Sequence, residues 1–234
     1  MVGFIVCLIF FLFLSMKFLS FESLLSSNLH LSSGCKPFKS VDGVYRVING
    51  VYILDLTYTA VSLFRLYKFF SILNNRGIYV TFVYLVKLFN RKFLKLITRY
   101  TVHNFFNNHW IYGSLTNGHT LKAVLLAVAW IEKLRKAKFR VPRSVFRVYS
   151  KSFVLARDLK FSGISKFVFF LNLDCSGLAV KECACTNKFL SGLCSPSFDV
   201  GLIDFYIYSN CTNEVSINFI LKFVLASYFS SFKV

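Results

Sequence analysis

The chain has 234 residues, 56% of them hydrophobic, and carries 28 Lys plus Arg against 10 Asp plus Glu, a formal net charge of +18. That length allows one α/β domain with an extension, and so large a positive excess points to a polyanionic partner, nucleic acid or anionic lipid. A mean hydropathy of +0.58 would by itself suggest a membrane protein, but beyond residue 20 charges at Asp55, Arg65, Lys68, Arg76, Lys87 and Arg91 interrupt the apolar runs before any reaches the ~20 residues a spanning helix needs.

Residues 1–33 read as an apolar N-terminal helix followed by a Ser-rich linker, "SLLSSNLHLSSG". The uncharged run from Val2 to Met16 is too short, at 1.5 Å per residue, for a ~30 Å hydrocarbon core. It also lacks the basic start and small-residue cleavage site of a signal peptide. A helix buried against a partner protein is the preferred reading, with a membrane anchor as the alternative. The first part of an α/β domain then occupies 34–118. "GVYILDL" (50–56) reads as a buried strand. The following helix carries Ala60, Leu63, Phe64, Tyr67 and Phe70 on one face and closes at Arg76-Gly77. "IYVTFVY" (78–84) is a second strand, 86–100 a basic helix, and "FF" (105–106) a short third strand.

A helical pattern starts near His119, with Leu121, Val124, Leu125, Val128, Ile131 and Leu134 as its stripe. Pro142 interrupts it, and a second helix runs to about Lys160. This segment, 119–160, reads as an inserted basic helical hairpin. The second part of the α/β domain, 161–234, holds strands at "KFVFFLN" (166–172), "KFLSGLC" (188–194) and "LIDFYIYS" (202–209), and a closing helix at 213–229. Alternating strands and helices predict a parallel sheet covered on both faces.

No catalytic constellation emerges. "LDLTYTA" contains no Gly to cradle a phosphate, and there is no Ser elbow and no H-E-x-x-H. Asp55, Asp174, Glu182, Asp199 and Asp204 are scattered and read as caps, turns or ion-pair partners. Cys175, Cys183, Cys185, Cys194 and Cys211 cluster late, yet no C-x-x-C pair frames a metal, so the cysteines read as small buried hydrophobes in a reducing compartment. The expectation is a non-enzyme with no cofactor, no metal and no small-molecule substrate. The hairpin is richer in signal: between Lys133 and Lys160 stand Lys133, Arg135, Lys136, Lys138, Arg140, Arg143, Arg147, Lys151, Arg157 and Lys160 against only Asp158. Charge of nearly one sign repels itself unless a polyanion neutralises it, which favours nucleic-acid contact over a merely solvated face.

Three stretches converge on one family. "NGVYILDLTYT" (49–59) resembles the N-G-x-H-I-I-D-L-x-x-T segment of small-subunit ribosomal protein two, the bacterial-type "S-two" family. "NNHWIYGSLTNGHTL" (107–121) resembles its signature N-x-R-W-L-G-G-x-L-T-N-x-x-T. "FVFFLN", "LAVKEC" and "LIDFYIYSN" resemble its F-V-x-D, A-x-x-E-A and D-x-x-I-P-G-N segments. In this chain His109 stands for the usual Arg, Tyr112 for the first Gly of the pair, Asn172 for the strand-end Asp, and Tyr208-Ser209 for Pro-Gly. The G-T-K turn after the second strand is lost apart from Lys87.

The resemblance implies a flavodoxin-like parallel sheet with an inserted helical hairpin, binding small-subunit rRNA and neighbouring ribosomal proteins. The 29 Phe and 12 Tyr against 3 Pro and 11 Gly are the skew of an AT-rich gene. With no transit peptide opening the chain, that skew suggests a mitochondrially encoded member acting in the matrix. An organellar RNA-binding or assembly factor, or a membrane-associated organellar protein, is the alternative.

Within the signature, Asn117 or Thr116 is suited to cap the helix beginning near His119, while Gly113 and Gly118 allow turns. His109, Asn117 and His119 join the hairpin cations as candidate rRNA contacts. Trp110 has two readings: it pins the loop to the sheet edge, which is preferred, or it stacks on an unpaired base.

Overall fold

The computed structural model describes residues 20–32, 43–85, 104–107, 110, 113, 115–139, 142–156 and 164–230. The apolar N-terminal stretch, the helix expected over 86–100, and the side chains of His109, Arg140, Arg157 and Lys160 lie outside the described residues.

The Ser-rich stretch expected as a linker is part of the fold. Helix α1 (Phe21–Ser26) is capped by Ser20, whose hydroxyl accepts from the Ser23 amide at 3.3 Å. Strand β1 (Leu31–Ser32) follows it. The leucines between the serines explain the difference, since Leu24 and Leu29 are fully buried in the main core. Further on, the strand expected within 50–56 forms, but outside the parallel sheet. Asn49 and Gly50, with φ of 49° and 79°, make the left-handed turn that joins β2 (Val44–Ile48) to β3 (Val51–Leu54) as an antiparallel hairpin. With β1 these strands form a three-stranded sheet of order β1-β3-β2. The Asn-Gly pair sends the chain straight back on itself, so β3 pairs locally instead of with a distant parallel neighbour.

Asp55 starts α2 (Leu56–Asn75), its carboxylate accepting from the Thr57 amide at 2.8 Å. The buried stripe is Leu56, Thr59, Leu63, Leu66, Phe70 and Leu73. Phe64, expected on the inner face, is 47% exposed. The stripe's alternation of three- and four-residue steps turns position 64 away from the sheet.

The main sheet contains β4 (Val80–Tyr84), β5 (Asn104–Asn107), β6 (Phe167–Phe170), β7 (Phe189–Cys194) and β8 (Phe205–Tyr208). Every pairing is parallel and the order is β5-β4-β6-β7-β8, the 2-1-3-4-5 order of flavodoxin-like folds. Helix α3 (Gly118–Lys136) and α4 (Arg143–Ala156) stand between β5 and β6 in the chain, α5 (Gly177–Cys185) between β6 and β7, and α6 (Glu214–Ser230) closes the fold.

Strand alternation divides the core in two. Phe82, Phe169 and Ile207 face α2 and α6, and Phe70 of α2 stacks on Phe82 at 5.9 Å and meets Phe169 edge-on at 5.6 Å. Val83, Val168, Phe170 and Leu190 face the other way, where Ala179, Val180 and Cys183 of α5 and Leu125 of α3 cover them. Strands buried on both faces explain the continuous apolar runs of β4 and β6.

Candidate nucleic-acid interface

The signature loop connects β5 to α3, and one carboxylate organises it. Glu182 lies on α5, and its Oε2 accepts the Trp110 indole N–H at 2.6 Å. Its Oε1 accepts the backbone N–H of Leu115 at 2.8 Å and of Thr116 at 3.2 Å, with the Thr116 hydroxyl at 3.4 Å. Burial acts to raise the Glu182 carboxyl, but the hydrogen bonds from Trp110, Leu115, Thr116 and Gly113 outweigh it and hold the group below its usual range. Gly113 supplies the turn that brings these amides round, with φ +81°. The half-buried Trp110 ring packs on the α5-side core, 6.4 Å from the ring of Phe170. Trp110, Gly113 and Thr116 are thus assembled around an acid that the sequence alone marks only as a scattered cap, turn or ion-pair partner. No local signal marks the pair, whose members are 72 residues apart.

The expected cap is not made. Asn117 occupies the N-cap position of α3, but its φ of −119° and ψ of 51° give no side-chain cap hydrogen bond. Thr116 is committed to Glu182, and the Thr120 hydroxyl donates to the Asn117 carbonyl at 2.7 Å. Gly118, expected in a turn, is the first helical residue. Asn117 and His119 are exposed at the root of the hairpin. From His119 to Lys136 the helix rises about 25 Å, so these two candidates are well separated from the cations.

At the far end Lys133, Arg135, Lys136, Lys138, Arg143 and Arg147 are all exposed, and Lys151 lies further along α4. Lys133, Arg135 and Lys136 fall in the last turn of α3, where a cation is favourable to the helix dipole and needs no ligand to explain it. Arg143 is the opposite case. It is the first residue of α4, where the dipole disfavours positive charge. The helices meet through Val128, Ile131 and Tyr149, and the Arg135 guanidinium lies 5.8 Å from the Phe146 ring and 5.9 Å from the Tyr149 ring.

The carboxyl ends of the strands, where open α/β sheets bind ligands, are taken up by loop-closing bonds. Asn172 donates to the Cys211 carbonyl at 3.0 Å and accepts from the Cys175 amide at 3.4 Å. Asp174 accepts from the Ser195 amide at 3.1 Å. Asp199 accepts from the Gly201 amide in the loop between β7 and β8, and at the opposite, amino ends of those strands Asp204 accepts from the Leu190 amide. Burial pushes the Cys183 thiol to about 12 and raises those of Cys194 and Cys211 well above the ordinary value, so these sulfurs stay protonated and unreactive. Among the described residues no group of three or more His, Cys, Asp and Glu could hold a metal, and no helix is long and apolar enough to cross a membrane.

Topology and surface together define an α/β protein of flavodoxin-like order that carries an exposed cationic helical arm. Residues 24–231 match the family described as ribosomal protein S2. Over 201 residues the chain is 25% identical to the small ribosomal subunit protein uS2 of Sorangium cellulosum (strain So ce56), covering 82% of this chain and 72% of that protein. The chain belongs to the ribosomal protein S2 family. Both Trp110 and Glu182 fall in stretches that carry the resemblance, so the hydrogen bond between them joins two of its motifs in space.

Proposed function

We propose that this protein is a structural constituent of the small ribosomal subunit in mitochondria, holding rRNA through the cations of the segment 119–160 and neighbouring proteins through its apolar surface. The observation that carries the rRNA contact is the exposed, single-sign charge of Lys133, Arg135, Lys136, Lys138, Arg143 and Arg147, with Arg143 held where its own helix disfavours it. A phosphate backbone supplies the missing counter-charge. The Phe- and Tyr-rich, Pro- and Gly-poor composition supports an AT-rich mitochondrial gene. Trp110 serves in this reading to fix the loop, because its indole N–H is already engaged by Glu182.

Neutralising Arg135, Lys136, Arg140 and Arg143 together tests the contact. Affinity for small-subunit rRNA should fall, and the slope of log K against log salt should flatten by about 0.7–0.9 for each phosphate no longer neutralised. An unchanged slope refutes the role assigned to the hairpin. Sedimentation tests the assembly, since a ribosomal constituent follows the small subunit through a high-salt gradient and an assembly factor leaves it.

A further inference from the structure

Between α3 and α4 lies an open groove of about 430 Å³, lined by Val124, Ala127, Val128, Ile131, Val145 and Tyr149, with the Ser144 hydroxyl as its polar exception. Ala127 and Val145 are exposed within it, so the two helices leave part of their facing surfaces uncovered. Arg135 closes over the rings at one end. The hairpin's charge is almost wholly positive, with Glu132 its one acid between residues 118 and 156.

We infer that this groove is the docking site for an amphipathic helix of a neighbouring protein, one with aliphatic residues along one face and carboxylates flanking them. The lining sets the first requirement. Aliphatic walls stabilise aliphatic side chains spaced at i, i+3, i+4 and i+7, whereas a phosphate placed there would lose its water without gaining a donor. RNA bases are held on open aromatic faces, and the groove's one ring, Tyr149, is buried. The rim sets the second requirement, because the exposed Arg135 guanidinium stands over the rings at the end of the groove and attracts carboxylates. A second copy of this chain is a poor occupant, since it would bring its own charge of +18 against the same cations. The groove's apolar lining carries the inference apart from the rRNA contact, and Arg135 is shared between the two.

The full-length protein is titrated against a fluorescein-labelled synthetic helical peptide with leucines on one face and glutamates on either side, and anisotropy is read. The peptide should bind. Ala127→Trp, which fills the groove from an exposed position, should weaken binding by about tenfold or more, the equivalent of roughly 1.4 kcal/mol, and Arg135→Glu should weaken it likewise. Val145→Lys repeats the test if the tryptophan is not accommodated on the circular dichroism melt. The rRNA salt slope should be unmoved by Ala127→Trp. The inference is overturned if the wild type ignores the peptide, or if a version with serines in place of leucines binds as well. It is also overturned if Ala127→Trp leaves the peptide affinity intact, weakens rRNA binding equally, or dissociates a dimer seen by sedimentation.

Discussion

Removing the Glu182 carboxylate is the sharpest test of the way the signature loop is held. Glu182→Ala strips the acceptor from the Trp110 indole at 2.6 Å and the Leu115 amide at 2.8 Å, the two short bonds, and from Thr116 at 3.2 Å. A buried hydrogen bond to a charged group contributes about 1.5–3 kcal/mol. The site is only half-buried, so water replaces part of each bond, and halving the sum of the two short ones gives about 1.5–3 kcal/mol. For a domain of this size the melting temperature should drop by roughly 3–12 °C. Glu182→Gln keeps one acceptor and should lose about half as much.

Trp110 reports on the loop directly once the chain's other tryptophan is removed as Trp130→Phe, a position 65% exposed. Its emission should shift to the red in Glu182→Ala as the indole meets water. The pH dependence has a definite sign. Because the folded carboxyl is held below its usual range, its contribution is fully present above the unfolded pKa of about 4.3 and is lost as pH falls through the lower, folded value. The stability gap between wild type and Glu182→Gln should therefore close on acidification. A variant that melts like wild type, with unshifted Trp110 emission, would refute the anchoring role.

Gly192→Ala should destabilise by about 1–3 kcal/mol in urea denaturation, as overpacking does, because a Cβ there would sit 2.6 Å from the Phe170 carbonyl oxygen on the neighbouring strand. Trp110→Ala should cost about 2–4 kcal/mol, less than the ~3–5 of a fully buried aromatic, since the ring is half-buried. If that variant melted normally yet failed to enter the small subunit, Trp110 would be an rRNA contact instead. Asn117→Ala should change stability by no more than about 0.5 kcal/mol, because no side-chain cap is removed; a larger loss in thermal melts would contradict the loop geometry.

The parallel sheet was legible because β4, β6 and β7 are short apolar runs separated by helical patterns, and burial on both faces leaves that mark on a sequence. The antiparallel hairpin was missed although its signal was present. Asn49-Gly50 between Val47-Ile48 and Val51-Tyr52 is a strong short-range turn signature, but the apolar run over 50–56 masks it by continuing through Gly50. Phe64 and Tyr67 fit a helical face as well as Leu66 and Leu73 do, so the pattern alone could not say where the sheet would lie against α2. The link between Glu182 and Trp110 was illegible for a different reason. Nothing near either residue names the other, and only the packing of α5 beside the β5–α3 loop brings them together.

The short connection from that anchor into α3 has a geometric consequence for assembly. Leu115 and Thr116 are tied down immediately before the helix begins at Gly118, which makes the loop the fulcrum of a lever about 28 Å long. A tilt of roughly 10° at the fulcrum would swing the cationic tip by about 5 Å, well past the ~3 Å reach of a hydrogen bond. The aim of the arm is thus tied to its base, where the packing of Leu125 on the sheet is joined by a carboxylate from a different helix.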